Sequence, residues 1–155
     1  MCFIYSAGLR LLEVRNLKIA DVDFDRMMIH IRQTKYNKDR YVPLSPLMAE
    51  GLNKYLAAYS PKTYLFNGRE VGSKLSAKGV QWPMKEMVKR AGITKQASVH
   101  TLRHSYATHL LEQGMDVDTL RKLLGHSHLS TTLIYLHVAR LENSTIFSPF
   151  DKLYQ

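Results

Sequence analysis

The sequence predicts a mainly α-helical fold carrying one small antiparallel β-sheet, an α+β domain. Three observations lead there. Apolar residues recur at three- and four-residue intervals in several segments bounded by capping residues. The main extended region is residues 22–44, with β-branched side chains on either side of a polar turn. Glycine and proline fall between these segments rather than within most of them. At 155 residues the chain is sized for one domain with a core of its own.

The elements follow in order. Met1–Tyr5 reads as the end of an apolar helix whose beginning is missing, from a truncated chain or a short native segment. Gly8 breaks it, and Leu9–Asn16 resumes as a short helix. Met28–Arg32 and Tyr41–Leu44 form a hairpin around the polar stretch Lys35–Asp39, with Pro43 placing the second strand at an edge. Ser45 and Pro46 start a helix to about Ala58, with Leu47, Leu52, Tyr55 and Leu56 on its apolar face. Tyr64–Phe66 is a candidate short strand closed by Asn67-Gly68. A helix over roughly Ser76–Arg90 ends at Gly92. His100–Gln113 forms a strong helix whose Leu102, Tyr106 and Leu110 face the core, ended by a left-handed Gly114. Asp116 or Asp118 starts the next helix, which carries Leu120, Leu123 and Leu124 and stops at Gly125. Ser130 is expected to cap a short helix bearing Tyr135. The tail from Leu141 to Gln155 holds Ile146, Phe147, Phe150 and Leu153, too apolar to hang free.

Composition narrows the function classes. The formal net charge is +9, which favours a polyanionic partner, although a basic membrane-surface protein has the same balance. Cys2 is the single cysteine, so an internal disulfide and a thiolate zinc cluster are excluded, and a reducing cytoplasm fits. No apolar run approaches the length of a membrane span.

The residues with chemical potential cluster late in the chain. His100 and Arg103 stand three apart in a helix and are expected to share a face distinct from the Leu102, Tyr106, Leu110 stripe. His126 follows the helix end at Gly125, and Tyr135 lies nine residues on. Each has an ordinary reading: a solvated polar face, a histidine capping a helix C-terminus, a tyrosine in a core. As a set they unite guanidinium, imidazole and phenol, which can hold a phosphate and attack it. His100 and His104 have the spacing of a zinc-binding pair, but the glutamate of a His-Glu-x-x-His site is missing, and no metal or other cofactor is expected. His104 and His109 are left outside the set.

In these residues the chain resembles the catalytic domain of the tyrosine recombinase, or phage integrase, family. The family pattern of His-x-x-Arg, then Leu-Gly-His, then tyrosine is met by His100, Arg103, Leu124-Gly125-His126 and Tyr135. Ala7-Gly8-Leu9-Arg10-Leu-Leu-Glu13 resembles the segment with the family's first catalytic arginine. The stretch from Thr34 to Leu44 resembles its lysine-bearing hairpin. There the neighbours of Lys35 are Thr34 and Tyr36 instead of the two glycines of many members, which leaves Lys38 as the alternative lysine.

The resemblance implies that Tyr135 attacks one DNA strand, giving a 3′-phosphotyrosyl link and a free 5′-hydroxyl. Arg10 and Arg103 would clamp the non-bridging oxygens. His126 would donate to the developing charge, His100 would accept the tyrosine proton, and Lys35 would protonate the leaving oxygen. Glu13 would support the Arg10 segment. Lys18, Lys38, Arg40 and Lys78 would reach the DNA backbone, and Lys74, Lys85 and Lys89 read as similar contacts or solvated charges. Residues 1–155 would be a single C-terminal catalytic domain lacking the family's N-terminal core-binding clamp. Partners would be double-stranded DNA and further copies of the chain, a tetramer on DNA and a monomer or weak dimer when free, without membrane. The C-terminal tail would dock in cis or onto a neighbour. A DNA-binding module without activity of its own is the alternative, and a type IB topoisomerase-like cleavage a third reading.

Overall fold

The computed structural model describes residues 1–32, 39–70 and 72–139. Lys35, Lys38 and the apolar tail therefore lie outside the described residues. Helices dominate, joined by one three-stranded antiparallel sheet, as the pattern of the sequence predicts.

The N-terminal part alternates short helices with the sheet. Helix α1 (Cys2–Ala7) ends at Gly8, which adopts the left-handed conformation at φ 60°. A Cβ there would lie 2.5 Å from the Tyr106 ring, so glycine permits both the turn and the close approach. Helix α2 (Leu11–Asn16) follows, with Arg10 at its N-cap and the Glu13 carboxylate accepting the Arg10 backbone N–H at 2.7 Å. Strands β1 (Val22–Asp23), β2 (Met28–Ile31) and β3 (Arg40–Pro43) pair in that order. Ile29 opposes Val42, and Ile31 opposes Arg40. Pro43 lies on the edge strand, where its missing N–H costs no ladder bond. Tyr64–Phe66 forms no full strand; Tyr64 makes a single antiparallel bridge to Lys18.

Five further helices complete the described chain. Helix α3 (Pro46–Tyr59) is capped by the Ser45 hydroxyl, which accepts from the Met48 N–H. Its inner face carries Ala49 and Leu52, while Leu47 is 79% exposed. Leu47 and Leu52 are five positions apart, so they point some 140° away from one another on a helix. Helix α4 (Ala77–Arg90) is capped by Ser76. Helix α5 (Val99–Glu112) runs on to Gly114, left-handed at φ 88°. The Asp116 carboxylate caps α6 (Val117–Leu124) through the Thr119 N–H, which settles the choice between Asp116 and Asp118. Helix α7 (Ser130–Leu133) begins with Leu129 at the cap position, not Ser130, and Tyr135 sits in the turns just beyond it.

Helix α5 joins two apolar clusters. One gathers α1–α4 and the sheet around Ile4, Leu9, Ile29, Val42, Leu52 and Leu65. The other gathers Ala107, Leu111, Leu120, Leu124 and Tyr135. The most buried line along α5 is Val99, Arg103, Ala107 and Leu111; Leu102, Tyr106 and Leu110 flank it, only partly buried. Arg103 therefore sits on the inward face, and His100, exposed in the first turn, does not share it.

Candidate active site

Arg103 is buried between the two clusters, where an unpaired charge would be costly. Its guanidinium donates to the Gly8 carbonyl and to the Leu124 carbonyl. Arg10, from the start of α2, donates to the Gly125 carbonyl at 3.0 Å. Arg40, from β3, donates through Nε to the Leu123 carbonyl at 2.7 Å. Three arginines thus cap three successive carbonyls at the end of α6. A helix C-terminus leaves its last carbonyls without helical partners and carries partial negative charge, so it suits cations. The left-handed Gly125 turns the chain there and aims these carbonyls at the arginines.

Glu13 holds the other side of the frame. Its two oxygens accept from Arg40 at 2.8 and 2.9 Å, and Oε1 accepts from Arg10 at 3.0 Å. Arg103 lies 3.8 Å from Oε2. Burial alone would push this carboxyl up. The Arg40 hydrogen bonds and charge, the Arg10 backbone amide and Arg103 outweigh it and hold the pKa at about 2. Burial, then repulsion from Arg10, brings Arg103 down to about 10, so it stays charged at neutral pH. Every buried side-chain nitrogen and oxygen among the described residues has a hydrogen-bond partner.

His126 closes the pocket. Its Nε2 lies 3.2 Å from Arg103 Nη2, and its Nδ1 lies 2.9 Å from the Thr132 hydroxyl. Arginine can only donate, so Nε2 accepts and Nδ1–H donates to Thr132. Burial, reinforced by Arg103, Arg10 and Arg40, lowers its pKa to about 4 and keeps the ring neutral. Tyr135 is buried beside it, with the two rings 6.3 Å apart and nearly parallel.

Arg10, Arg103, His126 and Tyr135 therefore converge from four separate parts of the chain. His100 stands exposed, and the imidazole on the Tyr135 hydroxyl is instead that of His104, at 3.1 Å. Arg40 is buried in the arginine frame instead of displayed toward solvent; strand alternation puts it on the same face as Val42. Lys18 and Lys78 are exposed. His104, Thr132 and the inward role of Arg40 were not anticipated. Only Arg40 left a signal, its two-residue spacing from Val42. Among the described residues, no cluster of three or more histidine, cysteine or acidic side chains could hold a metal.

Comparison with known proteins places this geometry. The phage integrase family profile matches residues 1–142. Tyrosine recombinase XerA of Thermococcus onnurineus is 46% identical over 138 residues, covering 87% of this chain and 48% of that protein. Among solved structures, XerH site-specific recombinase in a post-cleavage complex with a palindromic difH substrate aligns with TM-score 0.80 at 29% identity. That match covers 89% of this chain and 41% of the other. The catalytic domain of bacteriophage HP1 integrase aligns with TM-score 0.67 at 28% identity, over 99% of this chain and 83% of the other. The chain spans about half the length of the curated relatives it matches.

Proposed function

The chain belongs to the phage integrase family, and from that premise we propose that it carries the strand-cleaving and rejoining chemistry of a site-specific DNA recombinase. The observation that carries the reading is the buried Tyr135 beside a pocket in which Glu13 and the end of α6 fix three guanidinium groups. Tyr135 Oη attacks a backbone phosphorus, the bond from phosphorus to the 5′-oxygen breaks, and a 3′-phosphotyrosyl ester remains. The ester keeps the energy of the broken bond, so rejoining needs no nucleotide cofactor.

Arg10 and Arg103 hold the non-bridging oxygens. Arg10 keeps 39% of its side chain exposed and is reachable from outside. At Arg103 an arriving phosphate oxygen takes the place of His126 Nε2. Donors fixed in advance are each worth about 3–4 kcal/mol in comparable sites, because no reorganisation is paid as charge develops. Lys35, from the segment of the sequence between β2 and β3, protonates the leaving oxygen.

Duplex DNA is the substrate, bound through a basic surface that includes Lys18 and Lys78, with Lys38 as a further backbone contact. A tetramer on DNA, formed from monomers or weak dimers, brings four such sites together, with the C-terminal tail as docking element. The setting is the cytoplasm; no helix among the described residues is long and apolar enough to cross a membrane. The test is incubation with nicked suicide duplexes of randomised sequence, read on a denaturing gel. Wild type is expected to form a covalent protein–DNA adduct and Tyr135→Phe none. No adduct from wild type would favour a DNA-binding module without cleavage. An adduct from Tyr135→Phe would remove Tyr135 as nucleophile.

A further inference from the structure

Resting on the cleavage chemistry proposed above, we propose that the Thr132 hydroxyl is the positioning group that lets His126 change tautomer when a phosphate arrives. Thr132 Oγ1 lies 2.9 Å from His126 Nδ1. Thr132 is fully buried, so water does not stand in for its hydroxyl. Its backbone carbonyl accepts the Tyr135 N–H at 3.1 Å. One residue thus holds the imidazole with its side chain and the turn of the nucleophile with its main chain.

Without phosphate, Arg103 decides where the His126 hydrogen sits. Arg103 Nη2 lies 3.2 Å from Nε2 and can only donate, so Nε2 is bare and Nδ1–H donates to Thr132. In that tautomer Nε2 has no hydrogen to give a phosphate. Protonating both nitrogens is disfavoured at neutral pH. Burial, then Arg103, Arg10 and Arg40, hold the pKa at about 4 against the opposing charge of Glu13. A phosphodiester brings one negative charge to a pocket with three guanidinium groups, so the ring stays neutral.

A phosphate oxygen that takes the Arg103 N–H removes the hydrogen that kept Nε2 bare. A hydroxyl both donates and accepts. Rotation of the Thr132 O–H toward Nδ1 then stabilises the other tautomer, with its hydrogen on Nε2 and available to the phosphate. Nδ1 gives one proton to solvent and Nε2 takes one from it, so the ring's charge does not change. His126 is partly exposed, which gives these protons a path. A carbonyl in place of the hydroxyl could only accept and would lock the phosphate-free tautomer.

Two measurements test this. Histidine 15N NMR of the full chain at neutral pH reads the tautomer without requiring activity. Nδ1–H is expected on His126 in the free protein and Nε2–H in saturating inorganic phosphate. Three results overturn the proposal: Nε2–H in the free protein, Nδ1–H or a doubly protonated ring in phosphate, or phosphate that leaves the Arg103 signals unmoved. The second measurement compares adduct formation on nicked duplexes with DNA affinity read by fluorescence anisotropy. Thr132→Val keeps the side chain's shape and removes the hydroxyl. It should lower the adduct rate at saturating DNA by about 10–100-fold with DNA affinity near wild type. Thr132→Ser, which keeps a hydroxyl, should restore most of the rate. Thr132→Val at the wild-type rate, or a loss that Thr132→Ser does not recover, overturns the proposal. Absence of an adduct from wild type is a separate result: it rejects the cleavage reading, and the tautomer measurement then decides this proposal alone.

Discussion

Replacing Glu13 by glutamine preserves the side chain's size and removes its charge. The carboxylate is 11% exposed and faces Arg40 and Arg103, whose side chains are 8% and 6% exposed, as well as Arg10. Its pKa of about 2, against an ordinary 4.5, means that the folded state favours the ionised form. That preference is worth roughly 3 kcal/mol of stability at neutral pH. Breaking a buried ion pair by removing one partner typically costs about 3–5 kcal/mol, the same range. The folded-state value lies below the unfolded one, so the stabilisation is fully present above the ordinary 4.5 and is lost as pH falls toward about 2. Urea unfolding of wild type and Glu13→Gln, followed by circular dichroism across this range, measures it. The variant should be less stable by about 3 kcal/mol at neutral pH, and the difference should shrink in acid. A loss below about 1 kcal/mol, the value of an exposed pair, or a loss unchanged by acid, would refute a charge-held arginine frame.

Other sites give independent checks. Gly8→Ala puts a Cβ into the Tyr106 ring at φ 60°, adding about 1–2 kcal/mol of backbone strain to about 1–3 kcal/mol of overpacking. A lowered thermal midpoint is expected, and an unchanged one would contradict the close approach. NMR titration should find His126 neutral until about pH 4. Between its ordinary value near 6.5 and that point the unfolded chain binds the extra proton, so this residue makes stability fall with acid. A midpoint at the ordinary histidine value would contradict its burial among three arginines.

The α+β class, most helix limits and the Arg10, Arg103, His126, Tyr135 set were legible because each leaves a local mark. Ser45 and Ser76 cap, Gly114 and Gly125 stop, and the motif residues hold fixed offsets. Leu47 is apolar yet 79% exposed, because its five-residue offset from the buried Leu52 turns it to the outer side of α3. The face of α5 was misjudged for a different reason. Arg103 occupies a core position that an apolarity pattern assigns to leucine or valine. Its charge is tolerated there only because Glu13 and the carbonyls of Gly8 and Leu124 receive it.

The sequence by itself determined the residue types available for phosphate chemistry and the helices and strand that present them. Spacing along the chain is a local property, and it was enough to recognise the family. Tertiary structure alone decided which donors meet which acceptors. Glu13 and Arg40 are 27 residues apart, Arg10 and Gly125 are 115 apart, and His104 and Tyr135 are 31 apart. Periodicity carries no information about such pairings, because they depend on how α2, β3, α5 and α6 pack. That packing turns the end of α6 into a rack for three arginines and puts His104, not His100, against the Tyr135 hydroxyl.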